Sequence, residues 1–118
     1  MDITLFHNPQ CSKSRATLAL IRGAGIEPHV IDYLQTPIDK NALRDLAARV
    51  GVPVRALLRE GESLYAELCL QDPSLSDEQL LEVLAAHPLL LNRPIAVTAN
   101  AGRICRPPEL VMELLGGI

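Results

Sequence analysis

The first 33 residues show the pattern of a strand, a helix and a second strand, in that order. This order is the sequence feature that most restricts the possible folds. Ile3–Phe6 predicts a buried strand, and Thr17–Ile21 supplies the apolar face of a helix running from about Ser12 to Arg22. After a glycine-containing turn, a second strand is predicted at His29–Tyr33. So short a crossover favours a parallel, right-handed connection, so we predict that the sheet begins with a parallel pair.

The middle of the chain has the pattern of a helical segment. Thr36-Pro37 breaks the chain, and Asp39 or a neighbour caps a helix that continues to about Arg49. A second capped helix starts at Ser76-Asp77-Glu78-Gln79 and stops around His87-Pro88. Between them we predict two short and irregular helices, at Val54–Arg59 and Ser63–Leu70.

The last part of the chain predicts an antiparallel hairpin and a final helix. Two strands are expected at Ile95–Thr98 and Arg103–Cys105, separated by a turn. Pro107-Pro108 then introduces an amphipathic helix from Glu109 to Leu115, which Gly116-Gly117 ends. The complete order predicts an α/β fold of the thioredoxin-like type, in which a small mixed sheet is flanked by helices and carries a helical insert.

Composition limits the classes of partner. With 118 residues and 48% hydrophobic residues, we expect a single domain over residues 1–118. The net charge is −3 and the basic residues are dispersed, which argues against nucleic acid as a partner. No apolar run approaches the roughly 20 residues of a membrane span, and Met1-Asp2 begins no signal pattern. We therefore expect a cytoplasmic protein, a monomer, with no membrane partner.

Cys11 is the residue whose position most clearly indicates a reactive side chain. It follows the first strand within a polar turn and opens the first helix, where unpaired N–H groups and the positive dipole end favour a thiolate and attract oxyanions. A purely structural cysteine is the alternative, but the polar surroundings favour a nucleophile. Cys69 and Cys105 have apolar neighbours, and we predict that both are structural, with a secondary thiol role for Cys105 as the less favoured alternative.

Two polar neighbours could support Cys11. His7 could tune or orient the thiol, although an exposed turn histidine is an equal alternative. Ser14 stands where a CxxC motif would place its second cysteine, so the reducing partner must come from elsewhere. The Ser14 side chain could hydrogen-bond the Cys11 thiolate, or Ser14 could be a plain first-turn residue. The cysteines and histidines show no metal-ligand spacing, so we predict no metal and no bound cofactor.

Three arginines follow apolar stretches: Arg59, Arg93 and Arg106. A guanidinium can fork onto a tetrahedral oxyanion, whereas most arginines simply cover surface. Arg93 and Arg106 bracket the two strands of the predicted hairpin, so both could approach Cys11 in the proposed fold. Convergence of all three charges would make an anion pocket.

Together these segments closely resemble the glutaredoxin-coupled arsenate reductase (ArsC) family over nearly the whole chain. The segments that carry the resemblance are His7-Asn8-Pro9, Cys11-Ser12-Lys13-Ser14-Arg15, Val54–Arg59, His87-Pro88, Asn92-Arg93-Pro94-Ile95 and Cys105-Arg106-Pro107. The resemblance implies a thioredoxin-like fold with a cis Arg93–Pro94 bond. The chain ends at Ile118, without the C-terminal extension of longer arsenate reductases, so we expect a short form of the family.

The resemblance also implies a mechanism. Cys11 would attack arsenate and form a thiol–arsenate adduct, while Arg59, Arg93 and Arg106 would bind the oxyanion. Glutathione, as co-substrate, would displace the arsenic and glutaredoxin would resolve the mixed disulfide, giving arsenite. Two alternatives remain open: a general glutathione-dependent thiol oxidoreductase and an Spx-like transcriptional regulator that contacts RNA polymerase. The second is disfavoured because the usual CxxC switch is absent.

Overall fold

The computed structural model describes residues 2–116 as two compact units. The first unit contains the described residues up to Thr36 and from Arg93 onward, and the second is Pro37–Asn92. The second unit is the predicted helical insert, while the prediction of one domain over residues 1–118 stays a prediction. Met1, Gly117 and Ile118 lie outside the described residues, as does part of the predicted Gly116-Gly117 helix end.

The first unit is built on a four-stranded sheet with the order β2-β1-β3-β4. The strands are β1 (Thr4–His7), β2 (His29–Asp32), β3 (Ile95–Val97) and β4 (Gly102–Ile104). β1 pairs in parallel with β2 and antiparallel with β3, and β3 pairs antiparallel with β4. The predicted parallel start, antiparallel hairpin and mixed sheet are therefore confirmed.

Helix α1 (Ser12–Gly23) crosses from β1 to β2, and its buried positions pack into the core of this unit. Ile3, Leu5 and Ile21 form that core together with residues from the far end of the chain, namely Ala96, Cys105, Val111, Leu114 and Leu115. Residues that are distant in sequence thus bury one another, and this burial holds the second half of α1 against the sheet.

The final helix differs from its prediction. It is a 3-10 helix over Pro108–Glu113, whereas the sequence predicted an amphipathic helix from Glu109 to Leu115. Bonds three residues apart continue past it, from Leu114 N–H to Val111 O at 2.9 Å. Only a short segment lies between Pro107 and the left-handed Gly116, whose φ is +66°. Short helical segments favour the 3-10 form, which is wound more tightly than an α-helix.

The second unit contains three α-helices, and two 3-10 helices complete it. The α-helices are α2 (Lys40–Val50), α3 (Ser63–Glu67) and α4 (Asp77–Ala86), and the 3-10 helices are Val54–Leu57 and Pro88–Leu90. The predicted caps are confirmed, since the Asp39 carboxylate accepts from Ala42 N–H at 2.8 Å and Ser76 forms a capping box with Gln79. α2 and α4 pack together, which buries the leucines at their helical spacing.

Cys69 corrects a prediction, because it is exposed rather than a core thiol. α3 ends at Glu67, and the chain then turns through Cys69 with φ +55°. Its N–H donates to Ala66 O at 3.0 Å, and Leu70 N–H donates to Tyr65 O at 3.0 Å, the paired bonds of a Schellman helix end. This turn points Leu70 into the core and leaves Cys69 outside.

Candidate active site

Cys11 lies in the turn between β1 and α1, at the N-cap position of the helix. Its backbone is extended, with φ −94° and ψ 123°, and its carbonyl accepts the first helical bond from Arg15 N–H at 3.1 Å. An N-cap side chain faces the free N–H groups of the first helical turn. The half-buried thiol of Cys11 therefore occupies the position that a capping serine or aspartate would normally fill.

Opposing effects set the pKa of the Cys11 thiol. Burial raises it, but the backbone N–H groups of Ser14 and Lys13 lower it, and Arg93 lowers it further by hydrogen bonding and by charge. The net result is a pKa below the ordinary value. The thiol makes no cap hydrogen bond of ordinary geometry, so the Ser14 and Lys13 N–H groups can donate to the thiolate once it forms.

Strand pairing explains why Arg93 reaches Cys11. β3 runs antiparallel beside β1, with Phe6 opposite Ile95, so the residues just before β3 lie beside the end of β1. The predicted cis peptide bond between Arg93 and Pro94 is present at this point. The carboxyl end of one strand and the start of another thus bring a thiol and a guanidinium together.

Arg106 joins the same end of the sheet. Cys105 N–H donates to Pro94 O at 2.8 Å, and the Arg106 Nη1 donates to Arg93 O at 2.9 Å. A second cis bond links Arg106 to Pro107. The structure therefore places the Arg93 side chain beside Cys11 and the Arg106 side chain against the Arg93 backbone, all within one unit. The part of both arginines in anion binding stays a prediction.

Arg59 belongs to the other unit. Its N–H donates to Leu90 O at 2.8 Å, and its Nε lies 3.9 Å from Glu62 Oε1. Its part in anion binding stays a prediction.

His7 and Ser14 are both buried beside the Cys11 turn. Burial is the largest influence on His7 and lowers the pKa of its ring, while Nδ1 finds no hydrogen-bond partner among residues 2–116. The Ser14 Oγ accepts from Asn8 N–H at 3.3 Å, so the contribution of Ser14 to the Cys11 pKa comes from its backbone N–H.

Two residues next to the site carry no role in the sequence-based prediction. Asn8 is buried and makes several hydrogen bonds within the turn. The Asn-Pro sequence before Cys11 is typical of turns and could have predicted this role. Tyr33 follows β2 and is 0% exposed. Burial raises the pKa of its phenol to about 12, while Arg93 and Asn8 act in the opposite direction. Only the pairing of β1 with β2 reveals this proximity.

The other cysteines lie outside this arrangement. Cys105 is buried, burial raises the pKa of its thiol to about 12, and its Sγ donates to Arg103 O at 3.6 Å. Among the residues that the structure describes, no group of three His, Cys, Asp or Glu side chains is arranged to hold a metal ion. No helix within residues 2–116 combines the length and apolarity that crossing a membrane requires.

The geometry agrees with comparisons against known proteins. A model of the ArsC family matches residues 6–114. The chain belongs to the ArsC family. The arsenate reductase of Rhizobium meliloti is 48% identical over 115 residues, which are 98% of this chain and 82% of that protein. The uncharacterized protein YfgD of Escherichia coli K12 is 48% identical over 98% of both chains.

Solved structures of the ArsC family share the fold. The arsenate reductase from Vibrio cholerae superposes with a TM-score of 0.93 at 47% identity, covering 96% of this chain and 97% of that one. The predicted thioredoxin-like α/β fold is therefore confirmed.

Proposed function

We propose that this protein is an arsenate reductase that converts arsenate to arsenite through the single nucleophile Cys11. The observation that carries the proposal is a thiol of lowered pKa at the N-terminus of α1, with Arg93 beside it. The names of the relatives in Rhizobium meliloti and Vibrio cholerae support the choice of arsenate.

The arginines answer the main physical obstacle to this reaction. A thiolate that approaches an anion is repelled by several kcal/mol at low effective dielectric, and each guanidinium offsets part of that repulsion. Arg93 and Arg106 therefore bind the oxyanion and stabilise the charge that develops as an oxygen leaves. We extend this role to Arg59, because its segment Val54–Arg59 resembles the family pattern.

The proposed chemistry proceeds in balanced steps. The Cys11 thiolate attacks arsenic(V), an S–As bond forms, and one arsenate oxygen leaves as water after taking up protons. A glutathione thiolate then attacks the Cys11 sulfur, and the S–As electron pair passes to arsenic. Arsenite departs, and a disulfide between Cys11 and glutathione remains. Glutaredoxin supplies the thiol that reduces this disulfide and restores Cys11. No resident cofactor is required by these steps.

The remaining expectations form part of the same proposal. His7 and Ser14 support the turn that holds Cys11, glutathione and glutaredoxin are the partners, and the protein acts as a monomer. A cytoplasmic location follows from the glutathione requirement, because that compartment keeps thiols reduced.

The decisive experiment is arsenate-dependent NADPH oxidation with glutathione, glutaredoxin and glutathione reductase. We expect turnover by the wild-type protein and none by folded Cys11→Ser. Absence of turnover by the folded wild-type protein would contradict arsenate as the substrate. Omission of glutaredoxin alone tests the reductant, and turnover without it would contradict that part of the proposal.

A second candidate is a general glutathione-dependent thiol oxidoreductase. It is favoured by the match over 98% of both chains to YfgD, a protein without an assigned activity. Backbone donors also account for part of the lowered Cys11 pKa, and this part needs no anion-binding arginine. The same purified protein should be assayed for exchange with a glutathione mixed disulfide. Exchange through Cys11 in the absence of arsenate turnover would identify this second function.

A further inference from the structure

The turn that precedes Cys11 is held together by one buried residue, Asn8. Its side-chain Oδ1 accepts from Gln10 N–H at 2.9 Å, and its carbonyl accepts from Cys11 N–H at 3.0 Å. Its own N–H donates to the Ser14 Oγ at 3.3 Å. Three groups of a single residue thus bind the turn on one side and the first turn of α1 on the other.

The bond from Asn8 N–H to Ser14 Oγ is shielded from water, and the bond from Gln10 N–H to Asn8 Oδ1 is partly shielded. Asn8 is 5% exposed and Ser14 is 0% exposed. A buried hydrogen bond has no water to replace it, so loss of one partner leaves the other unsatisfied. The turn therefore has one strongly preferred geometry while Asn8 and Ser14 are both present.

This geometry matters because of where it leaves the sulfur. The Cys11 pKa depends on the backbone N–H groups of Lys13 and Ser14, whose influence falls off steeply with distance and angle. The bond from Cys11 N–H to Asn8 O holds the N-cap backbone, and the bond from Asn8 to Ser14 holds the third residue of the helix. Both ends of the S···H–N interaction are thus tied to the Asn8 backbone. The Asn8 side chain enters through its Oδ1, which accepts from Gln10 N–H and fixes the turn in which that backbone lies.

We propose that Asn8 is a positioning residue for the reactive thiol, and that it acts with the Ser14 hydroxyl to keep Cys11 Sγ over the first turn of α1. The inference rests on the proposed role of Cys11 as the reactive thiol and is independent of arsenate as the substrate. Asn8 touches neither reactant and acts through Cys11.

The Asn8 side chain also extends toward a second buried group. It is one of the side chains that act on Tyr33, whose hydroxyl makes no hydrogen bond of ordinary geometry within residues 2–116. Asn8 therefore lies between the turn that carries Cys11 and the polar group behind it. The Asn8 amide is therefore held between the turn on one side and the Tyr33 ring on the other.

The test is the pH dependence of Cys11 alkylation by iodoacetamide, followed by mass spectrometry of the Cys11 peptide. A Cys69→Ala background removes the exposed thiol, and Cys105 is buried. Asn8→Ala should raise the Cys11 pKa by about one unit, which is about tenfold less thiolate at pH values below both pKa values. Asn8→Ser keeps a weaker neutral acceptor for Gln10 N–H, so its Cys11 pKa should lie between those of the wild-type protein and Asn8→Ala.

Asp72→Ala is the matched control, because Asp72 Oδ1 accepts from Ser74 N–H at 2.9 Å in a turn of the same kind within the other unit. It should leave the Cys11 pKa unchanged. An unchanged Cys11 pKa in folded Asn8→Ala would overturn the proposal, whatever the outcome with arsenate. If Asn8→Ala does not fold, the Cys11 pKa of Asn8→Ser decides, and an unchanged value overturns the proposal.

A double-mutant cycle with Ser14→Ala separates this arrangement from direct bonding of the Ser14 hydroxyl to the thiolate. Asn8→Ala keeps the N–H that donates to Ser14 Oγ, so the cycle compares the Oδ1 bond with the Oγ bond. If the two bonds hold one turn, the two pKa shifts should be clearly less than additive. Full additivity would overturn the coupling between Asn8 and Ser14, because each residue would then act on Cys11 separately.

Discussion

Cys11 is activated by the groups around it and not by exposure. Burial on its own would raise the pKa of this thiol, yet donors from Ser14, Lys13 and Arg93 outweigh that effect. Two of these donors are backbone N–H groups that any residue would supply at those positions. The helix start therefore provides the general activation, and Arg93 provides the part that mutation can remove.

We expect Arg93→Gln to raise the Cys11 pKa, because the variant loses a positive charge that favours the thiolate. The alkylation rate of Cys11 should then rise at a higher pH than in the wild-type protein. Arg103→Gln is the matched control, since Arg103 is paired with Glu113 at 2.7 Å on the surface of the same unit. A Cys11 pKa that moves equally in both variants would show that net charge, and not Arg93 itself, is responsible.

Arg106→Gln should lower kcat/KM for arsenate by roughly 10²-fold, the effect typical of removing one donor from a developing oxyanion. The Cys11 alkylation pKa should change less than in Arg93→Gln, because Arg93 acts on the thiol by both hydrogen bonding and charge. The NADPH-coupled assay and alkylation of the same samples measure the two effects. Arsenate turnover that survives this substitution would remove Arg106 from the proposed anion site.

At the level of elements, the ends of the helices show how local chemistry fixes boundaries. Asp39 and Ser76 satisfy free N–H groups at the starts of α2 and α4, as their sequences predicted. The end of α3 uses a left-handed residue instead, and here that residue is Cys69 with φ +55°. A residue with a Cβ is crowded in this conformation, which costs roughly 1–2 kcal/mol.

Cys69→Gly should therefore increase the free energy of unfolding by up to about 1 kcal/mol, since relief of Cβ crowding is partly offset by the greater freedom of glycine in the unfolded chain. Urea unfolding monitored by circular dichroism measures the change. Cys69→Ala removes the thiol but keeps the Cβ, and it should be close to neutral. Equal stabilisation by both variants would contradict the backbone explanation.

At the scale of the whole molecule, folding keeps the Cys105 thiol and the Tyr33 phenol neutral at an alkaline pH at which both would ionise in the unfolded chain. Burial is the largest cause for both, and it raises the pKa of Cys105 from 9.0 to about 12 and that of Tyr33 from 10.0 to about 12. Above pH 9 the unfolded chain releases the Cys105 proton while the folded chain keeps it. The unfolded state then binds fewer protons, so stability falls as pH rises toward the folded pKa.

The free energy of unfolding of the wild-type protein should fall by about 1 kcal/mol between pH 9 and pH 10 through Cys105. Tyr33 adds about a third of the Cys105 part in that interval, because its unfolded pKa is 10.0. Cys105→Ala should lack this part of the slope, although its stability at pH 7 is lower because a buried side chain is truncated. Parallel pH profiles for the two proteins would show that Cys105 does not cause the loss.

Much of this protein can be predicted from its sequence, because the deciding interactions join residues close together in the chain. Helical periodicity, the caps at Asp39 and Ser76, and the glycine turn after α1 depend on a few neighbouring residues. The place of Cys11 at the start of α1 follows from the same local rules. So does the proximity of Arg93 and Arg106 to one hairpin.

The tertiary structure alone decides which atoms surround the sulfur. The strand order β2-β1-β3-β4 places Arg93 beside the Cys11 turn, and burial brings Asn8, Ser14 and Tyr33 together. Side-chain direction and long-range pairing depend on residues that are far apart in the chain, and no local pattern encodes them.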